Sequence, residues 1–270
     1  MANLSPHERL RQRTELAAAA SSRPEIENFF QETAREVLLA FAQNPHLQEQ
    51  DVLRLLVRND LSSEVILELA RHEAARRSHS IKLALVRHPK TPRQVSLPLM
   101  KFLYIFDLLR VAQTPAVPID VKMVAEETIL RKISSMPRGE KVSMARRGTG
   151  RVAANLLMTA DSELIRAALD NPYLTESNLL KVLTRKELAS GVVEHIAQHD
   201  RWSHHYHLRL ALIRHPLTPF ARVLTFLPDV AVADLRDICL DRRMLPQVRK
   251  YIEAHCLFRL NRQRPLPAKN

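Results

Sequence analysis

Histidines and arginines are the residues of this chain with the clearest chemical potential. The chain has no GxSxG, HExxH, Walker-type phosphate loop or CxxC motif, so no recognisable nucleophile, metalloprotease or nucleotide site is present. His195 and His199 lie four positions apart, and on a helix that spacing brings two imidazoles to one face, where they can bind a metal ion. Zinc sites also need further ligands and a supporting carboxylate. We therefore favour structural roles for the pair and expect no metal, no cofactor and no catalytic residue.

Arginine is the residue type best suited to recognising phosphate or carboxylate groups, because its planar guanidinium donates two parallel hydrogen bonds. Basic residues concentrate in the segments 71–93, 131–151 and 242–264. We expect an anionic partner, if one exists, to contact Arg146, Arg147 and Arg151, with Arg87 and Arg214 as further candidates. The alternatives are that these side chains only keep the surface solvated, or that they pair with acids such as Asp161 and Glu163.

Composition excludes several classes of protein. Four glycines in 270 residues are too few for phosphate loops and tight dinucleotide-binding turns. The longest apolar runs are too short to span a membrane, and the N-terminus lacks the apolar core of a secretory signal. Two cysteines, Cys239 and Cys256, argue against a disulfide framework. We therefore expect a cytoplasmic protein, and its net charge of +12 permits an anionic partner without selecting one.

An internal repeat organises the chain. The segment LALVRHPKTP at 83–92 returns as LALIRHPLTP at 210–219, with eight of ten positions identical and a numbering offset of 127. The same offset, without a gap, aligns Asn44 with Asn171 and His72 with His199. We call two residues related by this offset counterparts. A register kept over this length predicts a duplicated unit.

Prolines divide each copy into short helices, since a proline cannot continue the helix before it. Apolar stretches predict helices such as one over 25–43. Threonine followed by proline predicts an N-cap with proline at the first helical position, which applies to Thr91 and Thr218. Thr175 and Ser5 are predicted N-caps as well.

The motifs NPHL, RHPKTP, NPYLT and RHPLTP, each followed by an apolar helix, resemble the leucine-rich-repeat variant family and, more broadly, HEAT-like helical repeats. The resemblance covers about residues 35–254 and implies a stacked helical scaffold. The family's founding member carries a cysteine-bound iron–sulfur module. Cys239 and Cys256 are widely spaced in the sequence and no further cysteine accompanies them, so that cofactor is not expected here.

The expected fold is all-α, a right-handed α-solenoid of short stacked helices built from an internal 127-residue duplication. We predict N-terminal capping helices over 1–35, a first copy over 36–126 and a second copy over 158–254. A basic junction holding three of the four glycines covers 127–157, and the end of the last helix with a disordered tail covers 255–270.

Such a scaffold is expected to be non-catalytic and to bind another macromolecule, first of all a protein, through an extended surface. The alternative is contact with the phosphate backbone of duplex DNA or RNA through the arginine-rich clusters. A more remote alternative is a DNA glycosylase built from HEAT-like repeats, which would line a basic cleft with tryptophans. This chain has a single tryptophan, Trp202. The sequence does not predict the oligomeric state.

Overall fold

The structure is a computed structural model that describes residues 5–241, 244 and 246–262, with side chains up to 260. Helices joined by short turns make up this part of the chain, and it contains no β-strand. The predicted all-α fold class is therefore confirmed. Part of the predicted tail, residues 263–270, lies outside the described residues.

The chain divides into two compact units, Met1–Ser134 and Ser135–Asn270. The helices of the first unit begin with a capped N-terminal helix and end with a helix of the same length. They are α1 (Pro6–Ala19), α2 (Arg23–Glu27), α3 (Arg35–Ala42), α4 (Glu49–Leu56), α5 (Ser63–Arg71), α6 (Glu73–Arg77), α7 (His79–Arg87), α8 (Arg93–Leu99), the 3₁₀ helix η1 (Met100–Phe102), α9 (Ile105–Gln113) and α10 (Ile119–Lys132).

A 3₁₀ turn, η2 (Ile133–Ser135), precedes the helices of the second unit. These are α11 (Arg138–Arg147), α12 (Gly150–Leu156), α13 (Ser162–Leu169), α14 (Glu176–Leu183), α15 (Ser190–Gln198), α16 (Tyr206–Arg214), α17 (Phe220–Phe226), the 3₁₀ helix η3 (Leu227–Asp229), α18 (Val232–Leu240) and α19 (Pro246–Arg262).

Helix boundaries recur at the sequence offset. The first and last residues of α3, α4, α5, α7, α8, η1 and α9 are the counterparts of those of α13, α14, α15, α16, α17, η3 and α18. The short helix α6 has no helical counterpart, since residues 200–204 form turns. The helices of segments 35–113 and 162–240 therefore begin and end at counterpart positions, except for α6.

Alternate helices pack against one another within each unit. In the first unit α3 lies between α1 and α5, and α7 contacts both α5 and α9. In the second unit α13 contacts α11 and α15, while α14 contacts α12 and α16. These helices thus share their apolar faces with helices two positions before and after them, and in each unit the core consists mostly of leucine, valine, isoleucine and alanine side chains.

Two predicted N-caps are confirmed and two are wrong. The hydroxyls of Ser5 and Thr175 accept the backbone N–H three positions later, in capping boxes. Thr91 and Thr218 do not cap the following helices, whose N-cap residues are the prolines after them. Their buried hydroxyls instead donate to the carbonyl oxygens of Leu85 and Leu212, six positions earlier, at 2.6 Å.

The predicted helix over 25–43 is interrupted between 28 and 34. Phe30 turns into the core at this point and is 3% exposed. The Glu32 carboxylate accepts the backbone N–H groups of Thr33 and Ala34, so those groups do not need helical carbonyl partners. The break is stabilised by a side chain, which apolar periodicity does not reveal.

Candidate functional site

A groove in the second unit lies where α14, α16 and α18 end. Its volume is about 630 Å³, within the range of small-ligand and peptide side-chain sites. The turns that follow α14 and α16 form its walls. The lining residues are Leu180, Leu183, Thr184, Arg185, Lys186, Leu188, Ala211, Arg214, His215, Pro216, Leu217 and Asp241.

The groove combines apolar and basic side chains. Leu183 and Leu188 are mostly buried against the core, whereas Leu217 stands at the edge with 42% of its surface exposed. Arg185 and Lys186 are exposed in the turn after α14, and Arg214 is the last residue of α16. An apolar side chain of a bound molecule can therefore pack against the leucines, and the cations can bind negative groups beside that side chain.

The two groove arginines differ from their counterparts in the first unit. Arg58, the counterpart of Arg185, pairs with Asp60 at 2.5 Å and donates to the carbonyl oxygens of Phe30 and Glu32. Arg87, the counterpart of Arg214, donates from Nε to the Thr114 hydroxyl at 3.2 Å. Both first-unit guanidiniums thus have intramolecular partners.

Arg185 and Arg214 have no such side-chain partner among the described residues. No carboxylate lies within 4 Å of either guanidinium and neither donates a hydrogen bond, as far as the described part of the chain extends. Cations near helix C-termini are favoured by the helix dipole, which accounts for their presence at these positions. That interaction leaves the hydrogen-bond donors of both side chains without an acceptor in the part of the chain that the structure describes.

His215 lines the groove and contacts the turn that follows α16. Its Nδ1 accepts the backbone N–H of Leu217 at 3.3 Å, and partial burial lowers the pKa of its imidazole below the usual 6.5. Its counterpart His88 makes the same kind of Nδ1 contact, to Lys90, and its Nε2 lies 3.0 Å from the Arg58 carbonyl oxygen. Both histidines therefore shape the turn after a helix.

The three arginines predicted from the junction lie apart from the lining of this groove. Arg146 and Arg147 form the last turn of α11, and Arg151 lies in the first turn of α12, all three exposed. Of the five predicted arginines, Arg214 lines the groove and Arg87 belongs to the first unit. Arg214 is therefore the one of these five among the residues that line the groove.

Asp161 and Glu163, the acids proposed as partners of Arg146, Arg147 and Arg151, contact Arg138, another basic residue of the same segment. Arg138 contacts Asp161 at 2.6 Å and Glu163 at 2.7 Å. The hydrogen bond from Arg138, aided by backbone N–H groups at the start of α13, lowers the pKa of Asp161 to about 2. Within the third basic segment, Arg242, Arg243 and Arg264 lie outside the described residues.

His195 and His199 make separate contacts. His195 Nδ1 lies 2.6 Å from the Gly191 carbonyl oxygen, whereas His199 Nε2 lies 3.2 Å from an Asp170 carboxylate oxygen. The described residues contain no group of three or more histidine, cysteine or acidic side chains placed to hold a metal ion. Trp202 is 1% exposed and donates its indole N–H to the Leu169 carbonyl oxygen, so its ring belongs to the core.

Sequence reasoning missed Arg185 and Lys186 as site residues. Arg185 aligns with Arg58 in the repeat, and it lies outside the basic segments 71–93, 131–151 and 242–264. The signal that separates them is in their surroundings. Leu217 replaces Lys90, so the second segment gains an apolar edge, and Asp241 replaces Thr114, the hydroxyl partner of Arg87.

No family model, curated protein or solved structure matches this chain. Among the helices of the described residues, none combines the length and apolar character that crossing a bilayer requires.

Proposed function

We propose that this chain is a cytoplasmic, non-catalytic helical-repeat scaffold that binds a segment of another protein in the groove at the ends of α14, α16 and α18. The observation that carries the proposal is the pair of arginines, Arg185 and Arg214, whose donors have no partner among the described residues and which lie beside an apolar floor. The first-unit counterparts of both residues have partners within the chain.

The scaffold is proposed to be a right-handed α-solenoid derived from the internal duplication. Recurring helix boundaries and the packing of alternate helices support a repeat architecture, because each repeat of a solenoid contacts its neighbours. The handedness is carried over from the resemblance to HEAT-like repeats.

Matched contacts support the duplication further. Asp107 binds His79, and their counterparts Asp234 and Tyr206 are also in contact, so one interaction is kept while its donor changes. The Thr91 contact with Leu85 returns as Thr218 with Leu212. Contacts that survive a change of side chain are expected when one ancestral packing arrangement has diverged.

The expected occupant is a peptide segment with apolar side chains flanked by aspartate or glutamate. Arg185, Lys186 and Arg214 complement carboxylates, and arginine binds a carboxylate in a bidentate fashion. Leu183 and Leu217 offer apolar contact that phosphate groups cannot use.

Peptide display on the full chain followed by fluorescence anisotropy tests this proposal. Selected peptides should be enriched in leucine, phenylalanine, aspartate and glutamate. The double variant R185E/R214E should bind them at least tenfold more weakly, because each replaced side chain would repel the carboxylates it now attracts.

The matched control is R76E/K181E, which changes two exposed cations that are not among the lining residues and alters the net charge equally. It should retain most of the affinity. A selection that yields no binding peptide, or peptides that bind both double variants equally, would overturn the groove as a protein-binding site.

A further inference from the structure

A cluster of exposed aromatic rings and cations lies on the first unit, at η1 and the turn that follows it. Phe102 is 52% exposed and Tyr104 is 70% exposed, whereas Leu103 between them is buried. Exposed apolar surface that forms a contiguous patch is typical of sites that contact a ligand or partner. We call Lys82, Lys101, Phe102, Tyr104 and His79 the aromatic platform.

Each ring of the aromatic platform is held by a neighbouring charged or polar group. The ammonium groups of Lys82 and Lys101 lie 5.3 and 4.9 Å from the centre of the Phe102 ring. The His79 imidazole lies against the Tyr104 ring with 4.4 Å between ring centres. His79 is itself oriented by Asp107, whose carboxylate lies 2.7 Å from Nε2. The rings are therefore positioned before any ligand arrives.

The second unit shows that the fold does not need these rings. The counterparts of Phe102 and Tyr104 are Asp229 and Ala231. Asp229 pairs at 2.8 Å with Arg209, the counterpart of Lys82, so an ion pair replaces the contact between lysine and phenylalanine. The hydroxyl of Tyr206, the counterpart of His79, accepts the Ala231 N–H.

The lysines of the aromatic platform are available to a ligand. Within the described part of the chain, neither ammonium group has a carboxylate within 4 Å. The platform therefore combines exposed aromatic rings with positive charge that no described acid neutralises. Single-stranded nucleic acids use this combination, because bases stack on aromatic rings and backbone phosphates are attracted by nearby cations.

We propose that the aromatic platform binds single-stranded RNA or DNA by stacking bases on Phe102 and Tyr104, with backbone phosphates at Lys82 and Lys101. This surface belongs to the first unit, and its role does not depend on peptide binding in the groove of the second unit. Because every base has a π-face, binding at the platform has little sequence preference.

The test measures fluorescence anisotropy of a labelled dT12 and a labelled rU12 with the full chain. The variant F102L/Y104L removes both rings and leaves the charge unchanged. It should weaken binding at least tenfold while keeping the salt dependence, whereas K82A/K101A should flatten that dependence. The control Y173L removes an exposed tyrosine of the second unit and should leave binding unchanged.

A second variant tests whether a loss of binding comes from the missing rings or from misfolding. K82R/F102D/Y104A installs the three side chains that the second unit carries at these positions, so it should fold normally and still lose binding. Equal oligonucleotide binding by the native chain and F102L/Y104L would overturn the proposal. Binding of a labelled oligoglutamate, with no binding of either oligonucleotide, would likewise overturn it and assign the platform to an acidic protein.

Discussion

Two buried asparagines connect consecutive layers of helices. Asn44 donates from Nδ2 to the carbonyl oxygens of Ala17 and Ala20, at 2.9 and 2.8 Å, which end α1. Asn171 does the same at the end of α11, to Ala145 at 2.7 Å and Gly148 at 3.0 Å. The terminal carbonyls of a helix have no partner within it, so these amides satisfy groups that would otherwise be buried unpaired.

Replacing either asparagine with alanine should lower the free energy of unfolding by about 2–4 kcal/mol, because two buried carbonyl oxygens then lose their donor. Chemical denaturation measures the change. Asn59→Ala, at an exposed position, is the control and should shift the free energy of unfolding by less than about 0.5 kcal/mol. Wild-type stability in both buried variants would contradict this role for the amides.

For individual residues, the sequence predicted which positions have a structural role more successfully than it predicted the groups they contact. Asn44 and Asn171 were recognisable as paired positions before a proline. Thr91 and Thr218 were assigned to the helix after them, yet they bind the helix before them. A threonine between two helices can satisfy either one, and the choice depends on which backbone groups the packing leaves buried.

Glycine at the start of α12 marks a close approach between elements. A Cβ at Gly150 would overlap the backbone carbonyl oxygen of Tyr173 and lie 2.6 Å from the Asn178 side-chain oxygen. Thr149 caps the same helix, so α12 begins directly against the turn before α14. The glycine permits that approach because it has no side chain.

Gly150→Ala should therefore destabilise the chain by about 1–3 kcal/mol, the usual cost of overpacking, since a backbone carbonyl has to move. Gly191→Ala is the matched control. Gly191 lies within α15 with open space around its Cα, and alanine there should stabilise by about 0.5–1 kcal/mol. Thermal denaturation of both variants gives the comparison, and equal melting temperatures would contradict the close approach.

Helix positions could be predicted from proline spacing and apolar periodicity because both are local signals. The break between α2 and α3 could not, because it depends on Phe30 entering the core and on Glu32 bonding the backbone. The helix α6 was missed for a related reason. It is five residues long, and its N-cap is the imidazole of His72, which accepts the Ala74 N–H.

For the whole molecule, the net charge of +12 indicates attraction to polyanions but not the location of the contact. Arg214 was a sequence candidate that the structure places in a groove, whereas Arg185 was not. The pairing of arginines with acids depends on how neighbouring helices pack. Arg138 in α11 contacts Asp161 and Glu163 at the start of α13. Pairing of that kind is a property of tertiary packing, and spacing along the chain does not encode it.

Substitution of three junction arginines tests whether duplex nucleic acid binds this chain independently of peptide binding in the groove. Arg146, Arg147 and Arg151 are exposed at the end of α11 and the start of α12, within one of the basic segments of the chain. Converting all three to alanine should weaken binding to duplex DNA. The slope of log affinity against log salt should become shallower by about 0.9 per lost phosphate contact.

Peptide binding in the groove should be unchanged in this triple variant, because none of the three side chains lines it. Affinity titrations over a range of salt concentrations, with a duplex and with a selected peptide, separate the two partners. An unchanged duplex slope together with a lower melting temperature would mean that the three arginines stabilise the fold. The duplex contact would then be excluded at this surface, while peptide binding in the groove would remain supported by its own variants.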